Sequence, residues 1–130
     1  MYHYAALITC LTGALLWFQA AMVGRGRGKH GVQAPATTGN PEFERLFRVH
    51  YNTIENAVWF LPVLWLFAIY WSDRYAGILG AVWLVGRILY TQSYYRDPAA
   101  RGPGTLISLI AATLLLLGAL IRISMALLKG

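Results

Sequence analysis

The sequence predicts an all-α integral membrane protein, a single domain whose four helices pack as a bundle. Composition is the first observation behind this. Of 130 residues 58% are hydrophobic and only 12% charged, with a mean hydropathy of +0.50, whereas a soluble domain carries about a quarter charged residues. The second is patterning: apolar runs long enough to cross about 30 Å of hydrocarbon alternate with short polar connections. The expected helices cover about 2–23, 41–71, 75–95 and 105–127 of a single unit, 1–130.

The first helix rests on Met1 to Gly24, which holds no charged side chain with His3 neutral. It lacks the basic leader and short apolar core of a cleaved signal, so it reads as retained. Cys10 lies within this run and reads as a packing residue; one cysteine allows no internal disulfide and no thiol-rich metal site. Next comes Gly24-Arg25-Gly26-Arg27-Gly28-Lys29-His30-Gly31, expected to be a flexible basic loop beside an anionic leaflet. It matches G-x-G-x-x-G, but after a membrane helix rather than a strand, which excludes a dinucleotide fingerprint.

The second helix starts at Pro41, a residue suited to a first helical position, with Glu42 and Glu44 at the positive end of the helix dipole. Arg45, Arg48, Asn52 and Glu55 fall at i, i+3, i+7 and i+10, one stripe of a helix. The stripe descends into the uncharged run Asn56 to Ser72, and an ionisable residue at membrane depth is a functional candidate by default. Pro62 inside the run is expected to kink the helix or be accommodated by its neighbours.

A short turn, Ser72-Asp73-Arg74, leads to the third helix, where Arg87, Tyr90 and Tyr94 again form one stripe. The fourth helix is Leu-rich, with Arg122 near its end where it can snorkel. Arg25, Arg27, Lys29, Arg45, Arg48, Arg96 and Arg101 collect on one side of the membrane, against Arg74 and Lys129 on the other. The positive-inside rule then puts both termini outside and the polar ends of the stripes at the cytoplasmic face. The net charge of +6 is that asymmetry rather than a nucleic-acid surface, so no nucleic-acid partner is expected.

The candidate constellation is Arg45, Arg48, His50, Asn52, Glu55, Arg87, Tyr90, Tyr94 and Arg101. Several cations around one carboxylate suit a zwitterion with more negative than positive ends. Arginine forks clamp carboxylates and Glu55 receives an ammonium. Arg48, Asn52, Glu55 and Arg87 are expected to be buried and to partner each other. No paired carboxylates, Ser-His-Asp set or cysteine nucleophile is present, and His3, His30 and His50 lack zinc-ligand spacing, so no metal is expected. Any nucleophile therefore belongs to the substrate, and a thiol beside an arginine becomes a thiolate near neutral pH. Two polar stripes call for partners that one bundle does not supply, so a homo-oligomer is expected.

Pro41-Glu42-Phe43-Glu44-Arg45, Arg48, Asn52, Glu55, Gly86-Arg87, Tyr90, Tyr94 and Arg101 together resemble the MAPEG family, the membrane-associated proteins in eicosanoid and glutathione metabolism, over about Arg27 to Gly104. The resemblance implies homotrimers of four-helix subunits that bind glutathione between neighbours near the cytoplasmic face. On this chain it would give Arg48 and Asn52 the carboxylate and backbone of glutathione, and Glu55 its ammonium. Arg87, Tyr90 and Tyr94 would line the site, Arg27 would close over it, and Arg101 would stabilise the thiolate. His50 stands where some members have glutamine. The implied activity is conjugation of glutathione to lipophilic electrophiles, with reduction of lipid hydroperoxides beside it. The alternative is a non-catalytic lipid-binding member, against which the pairing of Arg48 with Arg101 argues. A small four-helix exporter is excluded because the first helix carries no carboxylate.

Overall fold

A computed structural model describing Met1–Gly130 contains helices α1 (His3–His30), α2 (Pro41–Tyr70), α3 (Asp73–Arg96) and α4 (Gly102–Leu128), with a 3₁₀ turn over Pro98–Arg101 and no strand. The chain runs up and down: Lys29, Glu42 and Tyr95 meet at one end, and Tyr4 and Asp73 at the other. α2 and α3 form the middle, with α1 packed on one side of them and α4 on the other. By length and composition α1, α2 and Pro98–Leu128 can each cross a bilayer. The chain is an integral membrane protein. α3 is long enough at 24 residues, about 36 Å, but its polar residues dilute its apolar character.

Local chemistry explains most boundaries. The Asn40 side chain accepts from Phe43 N–H at 3.0 Å and Pro41 follows it, starting α2 with Glu42 and Glu44 in its first turn. The expected turn at Ser72 is instead the cap of α3: Ser72 Oγ accepts from Tyr75 N–H at 3.3 Å, and the helix begins at Asp73. The Asp73 carboxylate also reaches across to α1, accepting from Tyr4 N–H at 3.0 Å and Ala5 N–H at 2.9 Å. It satisfies two of the orphan donors at that helix start, where no side chain of α1 does so. α2 continues through Pro62 to Tyr70.

The basic Gly/Arg segment is not a flexible loop. α1 continues through it to His30, well past the expected end near residue 23, and stops where Gly31 takes a left-handed conformation (φ 65°). Arg27, Lys29 and His30 occupy the last turn, where cations complement the helix dipole. Gly26 is buried against α2, and a Cβ there would lie 2.6 Å from Leu46 Cδ1. Glycine thus brings the two helices together rather than loosening the chain.

The core joins Phe60 and Trp83, stacked at 3.8 Å and 4°, with Leu64, Phe67, Leu84 and Leu115. α3 and α4 approach closely at Gly86 and Gly104: a Cβ on Gly86 would sit 2.7 Å from Ser108 N. Such small-residue contacts suit helix pairs in lipid, where close packing replaces the hydrophobic effect. Trp17, Val58, Ile69, Ile78 and Leu117 face outward. Cys10, expected to pack, is exposed on that outer surface. The Arg122 guanidinium lies over the Trp71 ring, 4.6 Å from its centroid.

Candidate functional site

A cavity of about 480 Å³ opens between α2, α3 and the start of α4, at the end where α2 begins. Arg48, Tyr51, Asn52 and Glu55 line it from α2, Tyr90 and Tyr94 from α3, and Arg101 and Thr105 from the 3₁₀ turn and α4. Six sequence candidates therefore meet in one place. Tyr51 and Thr105 are additions. Tyr51 lies three residues beyond Arg48, so the helical stripe could have found it. Thr105, the expected first residue of the fourth helix, donates to Arg101 O at 2.9 Å, because the helical turns begin earlier than expected.

The charges in this cavity are free. The only contacts of a basic side chain with a carboxylate in the chain join Lys29 Nζ and His30 Nε2 to Glu42, at 3.9 and 3.1 Å. Arg48, Glu55 and Arg101 are exposed to the cavity and pair with nothing. Of the expected mutual partners Arg48, Asn52, Glu55 and Arg87, only Arg87 and Asn52 pair, and Arg48 and Glu55 are exposed rather than buried. Glu55 is open, and the buried cation finds neutral groups instead.

That cation is Arg87, fully buried behind the cavity wall. Its Nη2 donates to Asn52 Oδ1 at 3.0 Å and to Thr53 Oγ1 at 2.9 Å, and its guanidinium lies 4.0 Å from the Tyr90 ring centroid. Nε and Nη1 meet no partner. Behind it stands a group the sequence reading passed over. Gln19 of α1 is fully buried and donates to Thr53 Oγ1 at 3.1 Å and Thr91 Oγ1 at 2.9 Å. The Thr91 hydroxyl donates to Arg87 O at 2.7 Å. Three helices thus meet in one buried polar network beneath the site.

Three further candidates lie outside the cavity. Arg27 folds back over its own connection, donating to Ala36 O at 2.7 Å with its guanidinium 4.8 Å from the Phe43 ring centroid. His50 is half-buried on another face of α2, its Nδ1 without a partner. Arg45, at the edge of the stripe, donates to Arg96 O at 3.3 Å and lines a different cavity.

Chemically, the cavity offers two guanidiniums for carboxylate or thiolate, one free carboxylate for an ammonium, and amide and phenol groups between them. The MAPEG family profile matches residues 5–121. A Synechocystis sp. protein of uncharacterized function is 50% identical over 120 residues, 92% of this chain and 88% of that protein. Human microsomal glutathione S-transferase 2 is 40% identical over 116 residues, 88% of this chain and 79% of that protein. Guinea-pig (Cavia porcellus) leukotriene C4 synthase is 36% identical over 96 residues, 74% of this chain and 64% of that protein.

Proposed function

The chain belongs to the MAPEG family, and on that premise we propose that it is a membrane-bound glutathione transferase, conjugating glutathione to lipophilic electrophiles and reducing lipid hydroperoxides as a side activity. The observation that carries this reading is the set of unpaired charges around one cavity: Arg48 and Arg101 as free cations, Glu55 as a free carboxylate. Glutathione presents two carboxylates, one ammonium and one thiol; Arg48 complements one carboxylate, Glu55 the ammonium and Arg101 the thiolate. The names of the relatives, a glutathione S-transferase and a leukotriene C4 synthase, support the same ligand.

In this reading Arg48 clamps a carboxylate, Asn52 donates its amide N–H to the peptide backbone, and Glu55 receives the γ-glutamyl ammonium. Tyr90 and Tyr94 form the far wall. Arg87 holds the wall from behind rather than touching the ligand. Arg27 and His50 reach the ligand only from a neighbouring copy, which is why a homotrimer with sites between subunits accompanies the proposal. The orientation is that of the positive-inside rule, with the cavity at the cytoplasmic face and both termini outside.

Arg101 carries the chemistry. Its guanidinium stays charged at any working pH, so it stabilises a thiolate without exchanging a proton. Lowering a thiol pKa from about 8.5 to about 6.5 takes roughly 2.7 kcal/mol, near the upper end of what one charged hydrogen bond supplies. The thiol proton leaves to water, the sulfur forms a bond to the electrophilic carbon, and the leaving group departs with the electron pair of the broken bond. Titrating glutathione into protein in mild detergent, wild type against Arg48→Ala, tests the reading. Affinity should fall about tenfold or more in the variant. No heat of binding for the wild type, or equal affinities, would contradict it.

A further inference from the structure

A second cavity, of about 430 Å³, lies at the same end of the bundle but on the other side, where the end of α1, the start of α2 and the end of α3 converge. Arg25, Lys29, His30 and Arg45 line it against a single carboxylate, Glu42. The proposed glutathione site uses none of these residues. The carboxylate contacts Lys29 and His30, leaving Arg25 unpaired and Arg45 with only a carbonyl contact to Arg96 at 3.3 Å.

Two features separate this cavity from an ordinary set of surface cations that merely orient the protein. The basic side chains come from both α1 and α2 and border one half-open cavity rather than being scattered over the surface. In addition, Tyr95 lines the cavity, and its buried hydroxyl meets no hydrogen-bond partner. A buried hydroxyl left unsatisfied is costly, so it marks a place where an acceptor belongs. The ligand it suits is a compact anion with several acceptor oxygens, which is the chemistry of a phosphate.

Position decides the source of that phosphate. Met22 and Leu46 give the cavity an apolar side. One turn from Met22 toward the membrane centre, Phe18 is exposed; on α3, Ile88 is exposed two turns from Tyr95. Beneath the cationic mouth the seam between α1 and α3 is therefore an apolar, lipid-facing surface, a cation-above, hydrocarbon-below arrangement that complements a lipid. We propose that this cavity binds the phosphate of an anionic membrane lipid, whose acyl chains descend along the α1–α3 seam. The proposal depends on membrane insertion and not on the glutathione reading.

Native mass spectrometry of the protein released from mixed micelles tests it. The micelles contain equal amounts of phosphatidylglycerol and phosphatidylcholine, with and without glycerol phosphate. The wild type should retain phosphatidylglycerol preferentially. Arg25→Ala/Lys29→Ala, both exposed positions, should lower that preference roughly thirtyfold, the usual worth of two cations at an anionic surface. Tyr95→Phe, isosteric apart from the hydroxyl, should lower it about fivefold. Arg74→Ala at the opposite end of the bundle should leave it unchanged. Unaltered preference in both cavity variants, or equal loss in Arg74→Ala, would overturn the site. Displacement of the lipid by an equal concentration of glycerol phosphate would overturn the lipid assignment in favour of a soluble phosphate. Glutathione calorimetry on the double variant should match the wild type, which separates failure of this site from failure of the other.

Discussion

Arg87 Nη2 lies 3.0 Å from the Asn52 side chain, and because a guanidinium only donates, the atom facing it is the carboxamide oxygen. The Asn52 amide nitrogen is thereby left for the cavity that Asn52 lines. A fully buried cation on α3 sets which end of a carboxamide on α2 faces the cavity.

Asn52→Asp tests that relationship. The new carboxylate would pair with Arg87 and keep the interior satisfied, yet it presents no donor to the cavity. Thermal stability should hold or rise, while glutathione affinity falls by about 1.5–3 kcal/mol, the scale of a hydrogen bond to a charged group. Calorimetry showing unchanged affinity would mean that the Asn52 donor is not used.

Thr53→Val removes the oxygen shared by Gln19 and Arg87, which donate to it at 3.1 and 2.9 Å. Volume is nearly conserved, so any loss reports the two stranded donors. About 1–3 kcal/mol of stability should go for each group left unsatisfied, seen as a lower melting temperature in detergent. A melting curve that overlays the wild type would mean the network is filled by water.

Much of this was legible in the sequence, and what was not has identifiable causes. The stripe on α2 and the residues Tyr90 and Tyr94 were readable because helical spacing fixes a face. Arg87 shares that spacing but not the cavity. Its stripe passes from the cavity wall into the α2–α3 interior, and periodicity carries no depth. Gln19 sits singly in an apolar run, and Thr53 and Thr91 stand among other polar residues, so no pattern marks the three as partners. The end of α1 was misread because glycines suggest a loop, whereas Gly26 is there for close helix contact and Gly31 for the left-handed stop. Six candidates gather in one cavity; Arg27 does not, being folded over its own connection, nor does His50, which lies on another face of α2.

The two kinds of glycine contact should differ in tolerance. At Gly26 an added Cβ meets the end of the Leu46 side chain, which can rotate; at Gly86 it meets the Ser108 backbone. Gly86→Ala should therefore cost about 1–3 kcal/mol, the usual range for overpacking, and Gly26→Ala clearly less. Parallel thermal melts check the order, and a reversed order would contradict the packing described at the α3–α4 contact.

Asp73→Ala should fray the start of α1. The carboxylate satisfies two amides of that helix from another one, and loss of a cap costs roughly 0.5–2 kcal/mol. Hydrogen exchange at Tyr4 and Ala5 should accelerate while the core of α1 stays protected. Unchanged exchange at those two amides would show the cap to be dispensable.

The central claim is that Arg101 holds a glutathione thiolate in the cavity shared with Arg48, Asn52 and Glu55. The most direct measurement is the ultraviolet thiolate absorbance that develops when glutathione is added near pH 7, wild type against Arg101→Ala, with Tyr94→Phe in the same assay. Arg101→Ala should still bind glutathione but lose the thiolate signal. Its conjugation rate should recover partly as the pH rises toward the free thiol pKa of about 8.5. Tyr94→Phe should keep the signal. An Arg101→Ala spectrum and pH–rate profile that overlay the wild type would contradict the account, and loss of the signal in Tyr94→Phe alone would move the thiolate to the phenol.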